Sequence, residues 1–385
     1  MKSNYKRLGD FIEEVEERNR DLKVTLSQGI CNLKYFQNPR QVAENSAADK
    51  IVRKGWFAYN RATTRNGDKI SIAYRDGEDC TVSASYLTFR IKNENLLNPY
   101  YLLMWFKRPE FDRYARFKSH GSAHEYFEWD EMCEVMLPVP PIEEQRKIVE
   151  EYQAVERRIE NNRRLIAALE DTAQSIYRHF FVDNIDPENL PKGWQQSTIG
   201  NFCKETKSGG TPSRTNPHYW NANDIRWLKT GEVSNNIIFD TEEYISEEGL
   251  KNSSAKIIPA GAVIMAMYGA TAAQVSYLTC DASTNQACCN MLTHSFEEAA
   301  YLYFHCLAYQ DEIKRLANGG AQENLSQELI CEQPILIPAD KSAYRHFAKL
   351  LLLKISYSYE IFLLKQLLSL LLTKLSNLTI KHSSL

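Results

Sequence analysis

Two segments of this chain repeat the same order of residues, and that duplication limits the fold more than any single motif. Gly121 aligns with Gly319, Cys133 with Cys331 and Pro140 with Pro338, all at one offset of 198 residues. Upstream, Leu8-Gly9-Asp10-Phe11 matches Ile199-Gly200-Asn201-Phe202, and Tyr101-Leu102-Leu103 matches Tyr301-Leu302-Tyr303. Lys54-Gly55-Trp56-Phe57-Ala58-Tyr59 matches Pro259-Ala260-Gly261-Ala262-Val263-Ile264. Both are strand-like apolar runs entered through a glycine. The period is far above the roughly 20–50 residues of a solenoid. The repeated unit is therefore a whole domain followed by a long helical segment. Chance similarity of two α/β segments does not explain a gapless stretch from Gly121 to Pro140 that leads into a helix both times.

The helical segments carry a seam. Pro140-Pro141 is a stop-and-start signal, and Glu143 and Glu144 suit the positive end of a helix. From there Tyr152, Val155, Ile159, Asn162, Ile166, Leu169, Ala173, Ile176 and Phe180 step by three and four, the a/d pattern of a coiled coil. The second segment repeats it with Ala343, Phe347, Leu350, Lys354, Tyr357, Ile361, Leu364, Leu368, Leu371, Leu375 and Leu378. Each seam has one polar member near its middle, Asn162 and Lys354, a device that commonly fixes register. The alternative is two amphipathic helices, each packed on its own domain. The matched lengths favour pairing: Ile142–Phe180 and Asp340–Leu378 each span 39 residues, ~58 Å at 1.5 Å per residue. The Leu-rich second helix has more apolar surface than one partner helix covers, so further protein is expected on it.

The expected fold is α+β: two similar α/β domains, residues 1–140 and 184–338, separated by a pair of long antiparallel coiled-coil helices, residues 141–183 and 339–385. A chain of 385 residues suits two domains and their connecting helices.

The polar loops are the candidate binding surfaces. In the second domain Lys207-Ser208-Gly209-Gly210-Thr211-Pro212-Ser213-Arg214 leads to Tyr219-Trp220 and then Lys229. Tyr268, Thr271, Asn285 and Gln286 follow. Glycine lets a backbone approach a partner closely. Ser, Thr, Arg and Lys offer donors to phosphates and base edges, and Asn and Gln pair bidentately with adenine. The commoner role of an Asn or Gln is to satisfy a turn. The first domain offers Ser27-Gln28-Gly29, Tyr59-Asn60-Arg61, Arg65 and Lys118. One scaffold with two sets of polar loops is what two readers of different DNA sequences require. The net charge of −3 and pI near 6.3 lack the basic excess common in DNA binders, so any basic surface is local and offset elsewhere.

Enzymatic signatures are incomplete. Asn98-Pro99-Tyr100-Tyr101 is one proline short of the Asn-Pro-Pro-Tyr signature of adenine methyltransferases, and no Gly-x-Gly cofactor loop precedes it. An N-cap Asn followed by proline accounts for it. His124-Glu125 lacks the second histidine of a zinc protease, and Gly209-Gly210 lacks the ending of a P-loop. Eight scattered His and nine Cys without Cys-x-x-Cys spacing suggest no metal centre. The polar start, Met1–Asp10, and the thiols point to a reduced, cytoplasmic protein. Lys354, Glu360 and Lys365 interrupt Leu350–Leu372, so this segment reads as a packed helix rather than a membrane span.

These residues resemble the specificity subunit of type I restriction-modification enzymes over nearly the whole chain. The resemblance rests on Leu137-Pro138-Val139-Pro140-Pro141-Ile142-Glu143-Glu144-Gln145 and on His179-Phe180-Phe181-Val182-Asp183. Pro191-Lys192-Gly193-Trp194 and Ser208-Gly209-Gly210-Thr211-Pro212-Ser213 complete it. It implies two target-recognition domains, each reading half of a split, asymmetric target in double-stranded DNA, and no catalysis by this chain. It implies helices that set the gap between the halves and dock two modification subunits, which methylate adenine N6 with S-adenosylmethionine. A separate restriction subunit would supply ATP-driven, Mg-dependent translocation and cleavage. No cofactor is expected on this chain. The second proline motif, Ile337-Pro338-Ala339-Asp340, lacks the Glu-Gln, so equal docking surfaces are not required. A degenerate adenine methyltransferase and a coiled-coil interaction scaffold are the alternatives. Binding of S-adenosylmethionine by the chain alone would favour the first, and absence of salt-dependent DNA binding the second.

Overall fold

Each copy of the repeat closes on itself in the same way. Tyr5–Arg7 pairs antiparallel with Met136–Pro138, and Gln195–Thr198 pairs antiparallel with Pro334–Ile337. Both pairs tie the start of a domain to the strand just before a long helix. Each opening strand runs into one turn of helix, Leu8–Asp10 or Ile199–Phe202. A Cβ on Gly9 would lie 2.9 Å from the Cβ of Cys133, and one on Gly200 would lie 3.0 Å from that of Cys331. The Gly and Cys matches of the sequence are thus one close packing contact made twice. The computed structural model describes residues 5–39, 46–62, 69–119, 125–183, 185–317 and 324–376. Gly121, Gly319, His124 and Leu378 lie outside them.

Two compact units share the chain: Met1–Arg158 with Leu364–Leu385, and Ile159–Leu363. In the first, a four-stranded antiparallel sheet has the order Ile12–Glu14, Tyr86–Ile91, Trp56–Asn60, Ile72–Tyr74. In the second, the order Glu205–Ser208, Cys288–Leu292, Val263–Ala266, Val275–Leu278 repeats that topology, and Ile237–Ile238 adds a parallel edge. Gly55 and Gly261 both enter their strands with positive φ, 91° and 96°, where a side chain would be strained. The copies differ in their second sheets. Lys50–Val52 pairs with Cys80–Val82 and gains only isolated bridges, Arg18 to Lys50 and Ser27 to Thr81, among the described residues, whereas the equivalent Ile257–Ile258 and Ala282–Thr284 pair is widened by the strands Ile225–Leu228 and Glu243–Ile245.

A capped helix packs on each main sheet. Asn98 caps Pro99–Phe106, its side chain accepting from the amides of Tyr100 and Tyr101 at 2.9 and 3.2 Å. Ser295 caps Phe296–Ala308 through the amide of Glu298. The matched tyrosines do the same work: the Tyr101 hydroxyl donates to the Pro138 carbonyl at 3.0 Å, and that of Tyr301 to the Leu336 carbonyl at 2.6 Å. Each bond fastens the helix to its closing strand.

The long helices run over Ile142–Phe181 and Ser342–Leu375. Each contributes to both units, so the units are not cut where the four segments of the sequence meet. In the first unit, Val149 and Tyr152 share a core with Leu375, flanked by Leu368, Leu371 and Leu372. In the second, the Tyr177 ring lies 6.1 Å from Phe347, and Glu170 pairs with Lys354. In the second unit positions rise along one helix as they fall along the other, from Glu170 with Lys354 to Tyr177 with Phe347, so those segments are antiparallel. Gln145 of the proline motif is fully buried. Its amide nitrogen donates to the carbonyls of Leu96 and Pro140 at 2.9 and 2.8 Å, and its oxygen accepts from Asn98 N at 2.8 Å.

The seams hold at Tyr152, Ile159, Asn162, Ala173, Phe347, Lys354, Ile361 and Leu375, all buried. One end needs correction. Phe180 is 44% exposed, while Tyr177 and Phe181 are buried at 2% each. There the helix leaves the heptad step and packs by fours, because its neighbours are Tyr301, Trp194 and Phe347 of its own unit. Leu352, Leu353, Tyr359 and Leu363 on the second helix are exposed by 44% or more. All nine cysteines are free thiols. Among the described residues no helix is long and apolar enough to cross a membrane.

His305 sits wholly inside the second unit, its Nδ1 2.6 Å from the Tyr177 hydroxyl. Burial pushes its pKa down from 6.5 to about 3. The unfolded chain takes up this proton first, so stability falls progressively as pH drops from 6.5 towards about 3. His305→Asn, which keeps an acceptor for Tyr177, is expected to flatten that part of a melting-temperature profile. An unchanged slope would remove His305 from the account.

Candidate nucleic-acid interface

In the second unit four polar loops meet at one edge. The Gly209-Gly210 loop is drawn in by Gly210 N, which donates to the Thr284 carbonyl at 2.8 Å, and by Trp227 Nε1, which donates to the Gly210 carbonyl at 2.9 Å. Its next residue, Thr211, donates its hydroxyl to the Gln286 side chain. Thr230 bonds the Asn285 amide, 2.7 Å from its nitrogen and 2.9 Å from its oxygen. Thr271 donates to the Thr230 carbonyl at 3.2 Å, which brings in the Tyr268–Thr271 turn. Ser208, Gly209, Gly210, Thr211, Tyr268, Thr271, Asn285 and Gln286, read separately in the sequence, therefore belong to one constellation. Tyr268 and Gln286 are exposed on it.

Beside it stands a cation held by aromatics. The Arg214 guanidinium lies 3.5 Å from the centre of the Trp220 ring and 4.9 Å from that of Trp227. Trp220 in turn donates to the Ser213 carbonyl at 3.1 Å. Arg214 also pairs with Glu243, and Lys229 pairs with Glu242 at 2.8 Å and Glu243 at 3.1 Å. The Arg214 hydrogen bond, helped by Lys229, holds the Glu243 carboxyl below its ordinary range. Glu242 and Glu243 hold the Lys229 ammonium above its own. Tyr219 lies behind this group, its Cβ packed on Gly249. Lys207 does not join it. It pairs with Glu205 at 2.9 Å and lines a groove with Pro259, Tyr277 and Phe296.

The first unit spreads its candidates over two groups. Ser27 bridges to Thr81, Gln28 accepts from Arg75 at 2.7 Å, and Gly29 has open space where a Cβ would stand. Asn60 turns back to the Ala62 amide at 3.1 Å. Arg61 pairs with Glu128 at 3.1 Å and lies over Tyr126, and Lys118 pairs with Glu131 at 3.1 Å. Arg65 lies outside the described residues. Tyr59 is corrected: its ring is fully buried in the sheet core beside Phe89 and Phe127, because alternate residues of Trp56–Asn60 face inward. Asn285 is also engaged in its own turn, accepting from Ala287 N and Cys288 as well as bonding Thr230. Its side chain therefore serves the loop rather than a base edge.

Sequence reading missed Glu242, Glu243 and Arg75, which hold the candidates in place. Their partners are distant in the chain, so no local pattern marks them. Acidic partners offset the candidate cations locally. Each described candidate cation, namely Arg61, Lys118, Lys207, Arg214 and Lys229, already has a carboxylate partner. An exposed pair is worth only about 0–1 kcal/mol, so a phosphate or a base edge can displace the acid. Glu243→Gln takes the carboxylate from Arg214 and leaves Lys229 paired with Glu242 alone. It is expected to raise affinity for random duplex DNA several-fold at low salt and to steepen the salt dependence by about one phosphate contact. A slope equal to that of the unaltered chain would show that these cations do not meet phosphate. Among the described residues no group of three or more His, Cys, Asp and Glu is placed to hold a metal ion.

The model of the type I restriction modification DNA specificity domain matches residues 3–171 and again residues 191–351. The chain is 21% identical over 370 residues to the type I restriction enzyme HindI specificity subunit of Haemophilus influenzae, covering 77% of this chain and 80% of that one. It is 24% identical over 182 residues to the type I restriction enzyme MjaIX specificity subunit of Methanocaldococcus jannaschii, covering 44% of this chain and 41% of that one. Among solved structures, the type I restriction-modification S subunit from M. genitalium shares the fold with a TM-score of 0.56. It is 15% identical and covers 96% of this chain and 95% of that chain.

Proposed function

The chain belongs to the type I restriction-modification DNA specificity family, and from that premise we propose that its two domains read the two halves of a split, asymmetric DNA target. Members of this family are non-catalytic and supply sequence-specific DNA recognition to a restriction-modification assembly. One observation supports the split target above the others. Two sheets with the same strand order carry polar loops that differ in residues, spacing and hydrogen bonding. A repeated scaffold with unlike loops gives two unlike readings.

In this reading residues 1–140 and 184–338 are the recognition domains, and residues 141–183 and 339–385 are the helices that join them. Phosphate contacts from Arg61, Lys118, Lys207 and Lys229 position the duplex. Ser213, Arg214, Gln286 and Gln28 are offered to base edges. Two modification subunits dock on the helices, and the exposed Leu352, Leu353, Tyr359 and Leu363 face is the apolar surface available to them. S-adenosylmethionine, ATP and Mg belong to those partners and to a restriction subunit, and the assembly works in the cytoplasm.

Discrimination tests the reading. Assembled with its modification subunits, the chain is expected to bind a duplex taken from a methylated locus at least ~10³-fold more tightly than a scrambled duplex of equal length. Equal affinities at one salt concentration would reject it.

A further inference from the structure

The second long helix carries a lysine in a place where lysine is costly. Lys354 is 2% exposed. A buried ammonium is tolerated only when it is paired and fully hydrogen-bonded. Lys354 meets that condition through three partners from three different elements: the Glu170 carboxylate on the first long helix, the Tyr303 hydroxyl on the sheet-packing helix, and the Asn235 carbonyl at 2.7 Å. The Tyr303 hydroxyl also lies 3.2 Å from that carbonyl. All of this lies within the second unit.

Asn235 carries the connection onward. Its backbone is left-handed, with φ 58°, and its side chain forms a reciprocal amide pair with Gln310, 3.0 Å in each direction. The same Gln310 nitrogen donates to the Ala273 carbonyl at 3.0 Å. Ala273 is left-handed too, with φ 67°, a conformation unusual for alanine. The Asn235 side-chain oxygen further accepts from Val275 N at 2.9 Å. These two strained positions stand directly beside the reading loops. Asn235 follows the Thr230–Glu232 turn by three residues, and Ala273 follows the Gly269–Thr271 turn by two. Those are the turns joined by the Thr271–Thr230 bond.

We infer that Lys354 is a positioning residue for DNA reading: it fixes the Asn235 loop to the paired helices, and through Gln310 it sets the geometry of both the Thr230 and Thr271 turns. A site that reads bases needs its groups held to about half an ångström, which loops achieve only when a rigid element holds them. The lysine at a seam position thus does more than fix helix register. It hands the orientation of the helix pair to the loops of the second domain.

This inference rests on the two-half reading proposed above, and the test separates the two. The full chain is expressed with its modification subunits, and methylated adenines are mapped for the unaltered chain, Lys354→Met and Tyr303→Phe. The expected result is a motif whose first half is unchanged and whose second half becomes degenerate, with a loss of base preference on the order of tenfold at one or more positions. A loss of stability alone lowers methylation at every site and leaves base choice intact. Both halves unchanged, or both weakened alike, would overturn the role of Lys354. If Lys354→Met yields no soluble chain, Tyr303→Phe decides by the same two outcomes, since it removes only the bridging hydroxyl. An unaltered chain that directs no two-part motif overturns the functional reading instead.

Discussion

Replacing residues 191–338 with the matching segment of another family member is expected to change one half of the methylated DNA target and leave the other half as it was. The junctions are favourable. Gln195–Thr198 and Pro334–Ile337 pair with each other, so both strands of the closing pair move together. The contacts that have to be re-made are the aromatic seat of the first long helix and the bonds of Lys354 on the second to Tyr303 and the Asn235 carbonyl. Tyr177 and Phe181 lie 6.1 and 5.0 Å from Tyr301. A donor segment with tyrosine at that position preserves the seat. Each mismatched base pair costs about 1–3 kcal/mol, so a changed half-site of three or more positions shifts preference by ~10²-fold or more. The half read by residues 1–140 has no reason to move. A motif altered in both halves would contradict the modular account.

Gly209→Ala is expected to cripple reading by the second domain. A Cβ at this position would lie 2.1 Å from the Thr284 carbonyl oxygen and 2.3 Å from that of Asn285. These are backbone atoms next to strand Cys288–Leu292, so they do not yield as a flexible side chain does. Relief comes only by parting the Gly209-Gly210 loop from the Asn285-Gln286 turn, which breaks the Thr211–Gln286 bond. Overpacking of this kind costs about 1–3 kcal/mol, a fall of roughly 2–12 °C in melting temperature for a unit of this size. Loss of base preference in one half is the functional counterpart. Gly29→Ala is the control, since nothing lies within 4 Å of its added Cβ. If both variants melt and read alike, the close approach of the loops does not matter.

The duplication, the mixed α/β domains and the two long helices were legible because they rest on periodicity and on repeated residue pairs. Gly9 with Cys133 and Gly200 with Cys331 left a trace in the sequence because a steric contact admits few residues. The proline motif was legible as a helix start, but the purpose of Gln145 was not. Its three bonds reach Leu96, Asn98 and Pro140, and no spacing rule points to those partners. Phe180 and Phe181 were exchanged for the same reason: the heptad extrapolates one neighbour, whereas the helix end meets a domain.

The candidate site was legible by residue type and only partly by residue. Polar loops rich in Gly, Ser, Thr and Arg were picked out in the second domain by residue type, and the hydrogen bonds of Gly210, Thr211 and Thr271 bring them to one edge. Tyr59 was misplaced because a polar-looking Tyr-Asn-Arg run at the end of a strand still obeys inward and outward alternation. Glu243 was overlooked because an acid is not what one seeks in a DNA-binding surface. Its partners, Arg214 and Lys229, come from another loop and the end of another strand.

If the chain reads both halves of the target, it alone decides where its assembly acts. Mapping methylated adenines genome-wide in the source organism, with and without the gene for this chain, tests it most directly. One two-part adenine motif, interrupted by unread bases, is expected to disappear when the gene is removed and to return when it is restored. A methylation pattern identical in the two strains would contradict it.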